Sequence, residues 1–228
     1  FGTDESPTMI YFTKNGLTYS ITKTEIEKPG YDENEKEDGT EEHKATVKTD
    51  IVHMQWLNAN TDVKVIPIET SNAYYNYSVA GKNISHVNAY KKLVYQNLYP
   101  GIDVEYVFHA KGGIEYSLIL YPGADISKVK MKYSGNTDIS NDENGNVYFS
   151  TLFGDIIDHA PVTYYQSNAN NSISSKFKIE GNIVSLDLAA YDKTKTVVVD
   201  PWTVMPNMPV YNSVFYIKSD ALGNAYIY

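Results

Sequence analysis

Residues 95–121, YQNLYPGIDVEYVFHAKGGIEYSLILY, contain two runs of alternating apolar and polar residues on either side of a short glycine-containing loop. This pattern is typical of a β-hairpin. If Phe108 lies opposite Ile114, one face of the hairpin is apolar, because successive side chains in a strand point to opposite faces. The apolar face then holds Val104, Tyr106, Phe108, Ile114, Tyr116, Leu118 and Leu120, and the polar face holds Asp103, Glu105, Glu115 and Ser117. The hairpin predicts an antiparallel sheet with one face toward a core and one polar face.

The same two-residue periodicity recurs along the chain, between turn signals rich in Gly, Pro and Asn. It predicts further strands at residues 9–12, 17–22, 44–57, 63–68, 73–79, 87–98, 129–133, 147–152, 156–165, 173–179, 183–188 and 196–200. No segment has helical periodicity longer than two turns. We therefore predict an all-β fold at residues 1–200. It is an antiparallel β-sandwich-like domain, or two β subdomains with an internal boundary near residues 80–95.

The composition changes at residue 201, where Pro201, Pro206 and Pro209 follow one another closely. Proline stiffens the chain and interrupts strand pairing, so residues 201–209 are predicted to be a linker. Residues 210–228 show a strand, a DALGN turn and a second strand, which we interpret as the start of a propeller-type repeat region. A chain that begins at Phe1 and ends within a predicted strand is expected to be a piece of a longer polypeptide.

Composition and charge exclude several classes of function. The chain has 228 residues and a net charge of −9, and all 19 of its basic residues are lysines. Without the planar guanidinium of arginine and with an acidic surface, nucleic-acid binding is not expected. Because cysteine is absent, the fold uses no disulfide, no thiolate nucleophile and no Cys-ligated metal. No run approaches the roughly 18–20 apolar residues of a membrane span.

An acidic insert, EIEKPGYDENEKEDGTEE, occupies residues 25–42. It has few apolar residues, so it is predicted to be a mobile loop or a long polar hairpin tip. The density of carboxylates leaves calcium binding open as an alternative. The insert lacks the regular D-x-[DN]-x-[DN]-G spacing of a calcium loop.

The polar face of the central hairpin is the best candidate for a binding site. Asp103 and Glu105 lie two residues apart on one strand, and Glu115 lies across the hairpin. Carboxyl pairs about 5–9 Å apart serve glycoside hydrolysis, and nearby Tyr106 and Tyr116 could offer rings to a sugar. The alternative is a polar face that is solvated or paired with lysine. We predict a solvated or lysine-paired polar face and assign no catalytic residue. The five residues remain candidates for a binding site.

The remaining polar patterns predict no catalytic or metal centre. Asp155 and His159 would lie about 13 Å apart in an extended strand, too far for one to orient the other. Asp158 and His159 point to opposite faces, so a hydrogen-bonded turn is the preferred interpretation of this stretch. The five histidines show no H-x-H or H-E-x-x-H spacing. We predict no metal and no cofactor.

Several blocks of the chain resemble the uncharacterised N-terminal domain that precedes SBBP-type β-propeller repeats in large secreted bacterial proteins. The blocks are IYFTKNGLTYSITK, YYNYSVAGKNISHVNAYKKLVYQNLYPGIDVEY, GGIEYSLILYPGADISKVKMKYSG, FGDIIDHAPVTYYQ and YDKTKTVVVDPW. The end of the chain, SDALGNAYIY, is similar to the opening of an SBBP repeat, D-x-x-GN-x-Y. The acidic insert is where the chain departs most from the pattern.

The resemblance implies a location and a class of function. It is strongest to the versions in gliding Gram-negative bacteria, which leave the cell through the type IX secretion system. It therefore implies an extracellular, cell-surface module that is structural or adhesive and not an enzyme. The implied partners are other domains of the same polypeptide, the outer-membrane secretion machinery, surface glycans and other surface proteins. The open alternative is a carbohydrate-binding or glycan-cleaving module that uses the face of Asp103, Glu105 and Glu115.

Overall fold

A computed structural model of the chain describes residues 8–26, 45–79, 82–109, 113–207, 217–219 and 225–227. Apart from one 3-10 turn at Ile126–Lys128, the regular structure of these residues consists of strands. The strands are β1 (Thr8–Thr13), β2 (Gly16–Ile26), β3 (Ala45–Trp56), β4 (Lys64–Val79), β5 (Lys82–Tyr99), β6 (Ile102–Phe108), β7 (Ile114–Leu120), β8 (Lys130–Gly135), β9 (Ile139–Asn141), β10 (Val147–Phe149), β11 (Ile156–Tyr165), β12 (Asn168–Ser172), β13 (Ser175–Glu180), β14 (Ile183–Leu188), β15 (Val197–Val204), β16 (Ile217–Ser219) and β17 (Ala225–Ile227). The prediction of an all-β fold is confirmed.

Two antiparallel sheets form a sandwich-like fold. The six-stranded sheet has the order β1-β2-β3-β8-β14-β13. The nine-stranded sheet has the order β4-β5-β6-β7-β15-β11-β10-β9, with β12 paired to β11. The chain crosses between the sheets several times, so strands that are distant in sequence, such as β7 and β15, become neighbours.

The core lies between the two sheets and is rich in tyrosine. Trp56, Tyr95 and Phe149 are among the largest side chains that are fully buried. Buried tyrosines also connect the sheets through their hydroxyl groups. The Tyr95 hydroxyl donates to the backbone oxygen of Thr13 at 2.5 Å, and the Tyr99 hydroxyl donates to that of Leu57 at 2.8 Å. Each of these two tyrosines thus fills apolar volume while its hydroxyl group donates to an acceptor.

Strand β4 corrects one prediction, and strand β5 runs through the position of another. The predicted strands 63–68 and 73–79 are one strand, β4, with a register shift between Thr70 and Tyr74. Glu69, just before that shift, has a φ of 59°. This local irregularity interrupts the alternation of side chains along β4 without ending the strand. The predicted internal boundary near residues 80–95 falls on β5, which pairs with β6 at residues 92–99. Since β5 joins β4 and β6 in one sheet, the sheet does not divide at this point.

The start of the predicted linker belongs to the sheet. Strand β15 continues through Pro201 and ends at Val204. Its register with β11 shifts opposite residues 159–162, so the proline occupies an irregular point of the ladder. A bulge tolerates a residue that has no backbone N–H to donate, which explains why Pro201 does not end the strand.

Two predictions concern segments at the margins of the described residues. Residues 27–42 of the acidic insert, to which the calcium alternative applies, lie outside the described residues. Near the end of the chain, β16 and β17 pair in antiparallel fashion, with Lys218 opposite Tyr226. This agrees with the two predicted strands. The predicted turn between them lies outside the described residues, and the assignment of the segment to a propeller repeat stays a prediction.

Candidate functional site

The central hairpin positions the candidate carboxylates as predicted. Phe108 lies opposite Ile114 in the β6–β7 register. Alternation then buries Val104 and turns Glu105 and Glu115 to the outer side of the nine-stranded sheet, where they are half-buried. We call this outer surface, formed by Asp103, Glu105, Glu115, Ser117 and Asp200 with their side-chain neighbours, the carboxylate face.

Tyr106 and Tyr116, two of the five binding candidates, lie on the opposite side of the sheet from the carboxylates. Each is 3% exposed, and both belong to the core. The alternation that turns Glu105 outward necessarily turns Tyr106 inward. These two tyrosines therefore cannot offer their rings to a ligand on the carboxylate face, and their assignment as binding residues there is wrong.

Asp103 and Glu105 are each engaged by a separate partner. Asp103 accepts the backbone N–H of Asn97 at 2.6 Å and the hydroxyl of Tyr121 at 3.1 Å. Glu105 accepts from the ammonium of Lys92 at 2.8 Å. The lysine-paired polar face that we predicted is thus present at Glu105. Each carboxylate is thus bound to groups other than the second carboxylate.

Glu115 lies on the carboxylate face in an environment that shifts the pKa of its carboxyl. Partial burial raises the pKa of its carboxyl, the nearby negative charge of Asp200 raises it further, and His109 lowers it. The His109 Nε2 atom is 3.8 Å from a Glu115 oxygen. Asp200 itself accepts from the Ser117 hydroxyl at 2.6 Å and lies 3.4 Å from the Tyr164 hydroxyl.

A stack of three aromatic rings lies beside Glu115 and Asp200. The Trp202 ring lies between His109 and His159 along the sheet, with centroid distances of 4.3 Å and 3.8 Å. Sequence analysis missed Asp200 and Trp202 because it placed the end of the last strand and the start of the linker at this point. The DPW block was the available signal, and only the pairing of β15 with β7 and β11 gives it a position beside Glu115 and His159.

A second polar cluster is buried between the sheets around Asp158, which is 1% exposed. Its carboxylate accepts the hydroxyl of Tyr116 at 2.9 Å and that of Thr203, and the Tyr133 hydroxyl lies 3.4 Å away. Tyr133 belongs to β8 of the six-stranded sheet, so the cluster joins both sheets. Burial raises the pKa of Asp158, and the three hydroxyl donors oppose that rise. We call these four residues the Asp158 cluster.

The arrangement around Asp158 and His159 corrects one interpretation and agrees with another. Both residues lie within strand β11, so the proposed hydrogen-bonded turn is wrong. They do point to opposite faces, because Asp158 enters the core while His159 stacks on Trp202 outside. Sequence analysis could not predict the Asp158 cluster, since its four members come from β7, β8, β11 and β15.

Two tyrosine variants test how much the buried hydroxyl groups contribute to stability. The Tyr106 hydroxyl is buried beside the indole of Trp56 and has no acceptor within the described residues, whereas the Tyr116 hydroxyl donates to Asp158. We expect Tyr106→Phe to change the free energy of unfolding by less than about 0.5 kcal/mol. Tyr116→Phe should lower it by about 1–2 kcal/mol, because Asp158 loses a donor in a buried site. Urea denaturation of both variants measures the contrast, and equal losses would contradict it.

No group of three or more metal-ligating side chains converges within the described part of the chain. Among the same residues there is no helix long and apolar enough to cross a membrane. The carboxylate face therefore offers hydrogen-bond acceptors, hydroxyl groups and aromatic edges on an open sheet. The Asp158 cluster offers a buried polar contact that fixes one sheet against the other.

The fold and these two clusters define a two-sheet β-sandwich-like domain with a tyrosine-rich core. The chain belongs to the protein family described as Domain of unknown function (DUF7948), which it matches over residues 1–202. The match ends at Trp202, within β15, so it covers both sheets of the sandwich. No curated protein and no solved structure matches the chain.

Proposed function

We propose that this domain is a non-catalytic structural and adhesive module of a large secreted cell-surface protein. The observation that carries the proposal is that two of the three candidate carboxylates, Asp103 and Glu105, are held by separate partners on the outer face of the sheet. Asp103 is held by Asn97 and Tyr121, and Glu105 is held by Lys92. Hydrolytic pairs usually need two carboxyl groups that face one another across a bound substrate.

The continuous core supports a structural role. Buried side chains from both sheets form one continuous cluster, and the tyrosine hydroxyls and Asp158 add polar contacts across it. Such a core resists local opening, which suits a module that holds other domains away from a surface.

The secreted location and the neighbouring propeller repeats rest on the sequence resemblance. The partners proposed on that basis are other domains of the polypeptide, the outer-membrane secretion machinery and surface molecules.

Deletion of residues 1–202 from the full-length protein, in the bacterium that encodes it, tests this proposal. We expect the truncated protein to be exported while attachment of the cells to a solid surface becomes weaker. Labelling of intact cells with an antibody against the remaining protein controls for export. Unchanged attachment with normal surface labelling would overturn the adhesive role, and absence of labelling on intact wild-type cells would overturn the location.

Glycan binding on the carboxylate face is a second candidate function. The observation that favours it is that two tyrosine hydroxyls donate to carboxylates on this face. The Tyr121 hydroxyl donates to Asp103, and the Tyr164 hydroxyl donates to Asp200. Sugar hydroxyls exchange readily with such acceptors, and aromatic rings pack on sugar faces. A glycan array with the intact domain tests this function. Specific binding that Asp200→Asn lowers, while Asp187→Asn on β14 of the other sheet does not, would favour it, and an array without hits would exclude it for the glycans tested.

A further inference from the structure

Strand β5 extends well beyond the strand that pairs with it on its inner side. Pairing between β5 and β6 begins at Lys92 opposite Val107, whereas β5 itself begins at Lys82. On its other side, β5 pairs with β4 over nearly its whole length. Residues 69–79 of β4 and 82–91 of β5 therefore project past the end of β6. We call this projecting hairpin the arm.

A groove of about 720 Å³ lies where the arm leaves the sandwich. It is bordered by seven consecutive residues of β5, from Val87 to Leu93, and by Glu69, Ser71, Ala73 and Tyr75 of β4. Consecutive residues of a strand point to alternating faces, so a groove on one face would touch only every second residue. Contact with all seven, on both faces, brings the groove to the free edge of β5 as well as over one face of the arm. The alternate residues of β4 form its side wall.

The rest of the groove is lined by apolar side chains at the end of the sandwich. Phe108 ends β6, Ile114 begins β7, and Phe12 of β1 reaches over from the other sheet. Phe108 is 53% exposed although it lies next to the core. Within the described part of the chain, no strand pairs with β5 at residues 87–90 on this side. The edge therefore offers backbone N–H and C=O groups beside an apolar wall.

We propose that this groove binds an extended peptide segment of a partner protein, which adds to the sheet as a strand along residues 87–90 of β5. Strand addition obtains affinity from backbone hydrogen bonds and specificity from pockets for alternate side chains. Here one row of the added side chains would pack on Phe108 and Phe12. The other row would face solvent.

The charge of the arm indicates the kind of segment that fits. The arm carries two lysines, Lys82 and Lys91, against one glutamate, Glu69, whereas the whole chain carries a net charge of −9. The ion pairs among the described residues involve neither of these lysines. A segment with alternating apolar residues and acidic ends would complement the arm, because opposite charges favour encounter and register.

A designed peptide tests the inference directly. The probe is the acetylated and amidated nonapeptide DVTVSVTVD, titrated into the intact chain by fluorescence anisotropy of an attached dye. We expect saturable binding, with slower amide hydrogen exchange at residues 87–90 in the complex. Two versions, N-methylated at odd or at even positions, should differ, since only one set of N–H groups faces β5. The version whose methyl groups replace the N–H groups that face β5 should lose at least about tenfold in affinity relative to the other version.

Matched variants separate strand addition from general stickiness. Phe108→Ser removes the exposed apolar wall, and Val162→Ser removes an apolar side chain of similar exposure, 62%, from β11. Only the first should weaken binding. Lys91→Glu should also weaken binding, while Lys130→Glu on β8 should not. Absence of binding, or binding that leaves exchange at residues 87–90 unchanged, would overturn the proposal.

Discussion

Replacement of Asp158 by alanine is expected to lower the free energy of unfolding by about 3–5 kcal/mol at low pH. The variant would leave the hydroxyls of Tyr116 and Thr203 buried without their acceptor, and would open a small void between the sheets. Tyr133, from the opposite sheet, would lose its nearby acceptor as well. Urea denaturation followed by tryptophan fluorescence measures the loss, because both tryptophans lie in or beside the sandwich.

Asp158→Asn is the matched variant, and it adds a dependence on pH. Burial raises the folded-state pKa of Asp158 above its ordinary value of 3.8, so the folded protein holds this proton more tightly than the unfolded chain does. The contribution of this group is therefore fully present below pH 3.8 and is lost as pH rises through the folded-state pKa. The asparagine variant cannot lose a proton at this position. Its stability relative to wild type should thus improve as pH rises from 3.8.

Asp158→Asn and Asp158→Ala are expected to differ in stability. The asparagine amide has one donor and one acceptor group, as a protonated carboxyl does, so we expect it to keep the fold near wild-type stability. Since other carboxyls also titrate, the quantity to follow is the difference between wild type and Asp158→Asn at each pH. A difference that does not change with pH, or an alanine variant as stable as the asparagine variant, would contradict the role of the Asp158 cluster.

Local patterns predicted the elements of this fold well because alternation is a property of each strand alone. The β6–β7 register follows from the alternation of residues in the hairpin, and the bounds of β11 and β14 follow from the turn signals that flank these strands. The bulge in β4 and the continuation of β15 through Pro201 could not be predicted. Both depend on a neighbouring strand that accepts an irregular residue.

The candidate sites were harder to predict for the same reason. Asp103, Glu105 and Glu115 lie on one hairpin, so their common face could be predicted from spacing. Asp200 joins them only because β15 inserts between β7 and β11. A polar residue inside an apolar run, such as Asp158 in IIDHAPV, carried a signal of unusual burial, but its partners come from three other strands. Pairing between distant segments is the information that a single sequence does not contain.

The second large effect is expected at Gly113, at the start of β7. Its φ is 77°, and a Cβ atom added there would lie 2.0 Å from the backbone oxygen of Thr203. An alanine must therefore push β7 and β15 apart as well as adopt a left-handed backbone. We expect Gly113→Ala to lower the free energy of unfolding by about 3–5 kcal/mol, from backbone strain and overpacking together.

Gly123→Ala is the matched control for that prediction. Gly123 has a similar φ of 83°, but an added Cβ would meet no atom within 4 Å. Its substitution should therefore cost only the backbone strain, about 1–2 kcal/mol. Equal losses of stability at the two glycines would show that the backbone of β15 leaves room for a side chain at residue 113.

The steric contact at Gly113 and the Asp158 cluster meet at Thr203. The backbone oxygen of Thr203 blocks a side chain at Gly113, while its hydroxyl donates to Asp158. Displacement of β15 by Gly113→Ala should therefore weaken the hydrogen bond to Asp158. We expect the double variant with Asp158→Ala to lose less stability than the two single variants together, because both remove the same contact. Additive losses in a double-mutant cycle would mean that the junction of β7 and β15 and the buried carboxylate stabilise the sandwich independently.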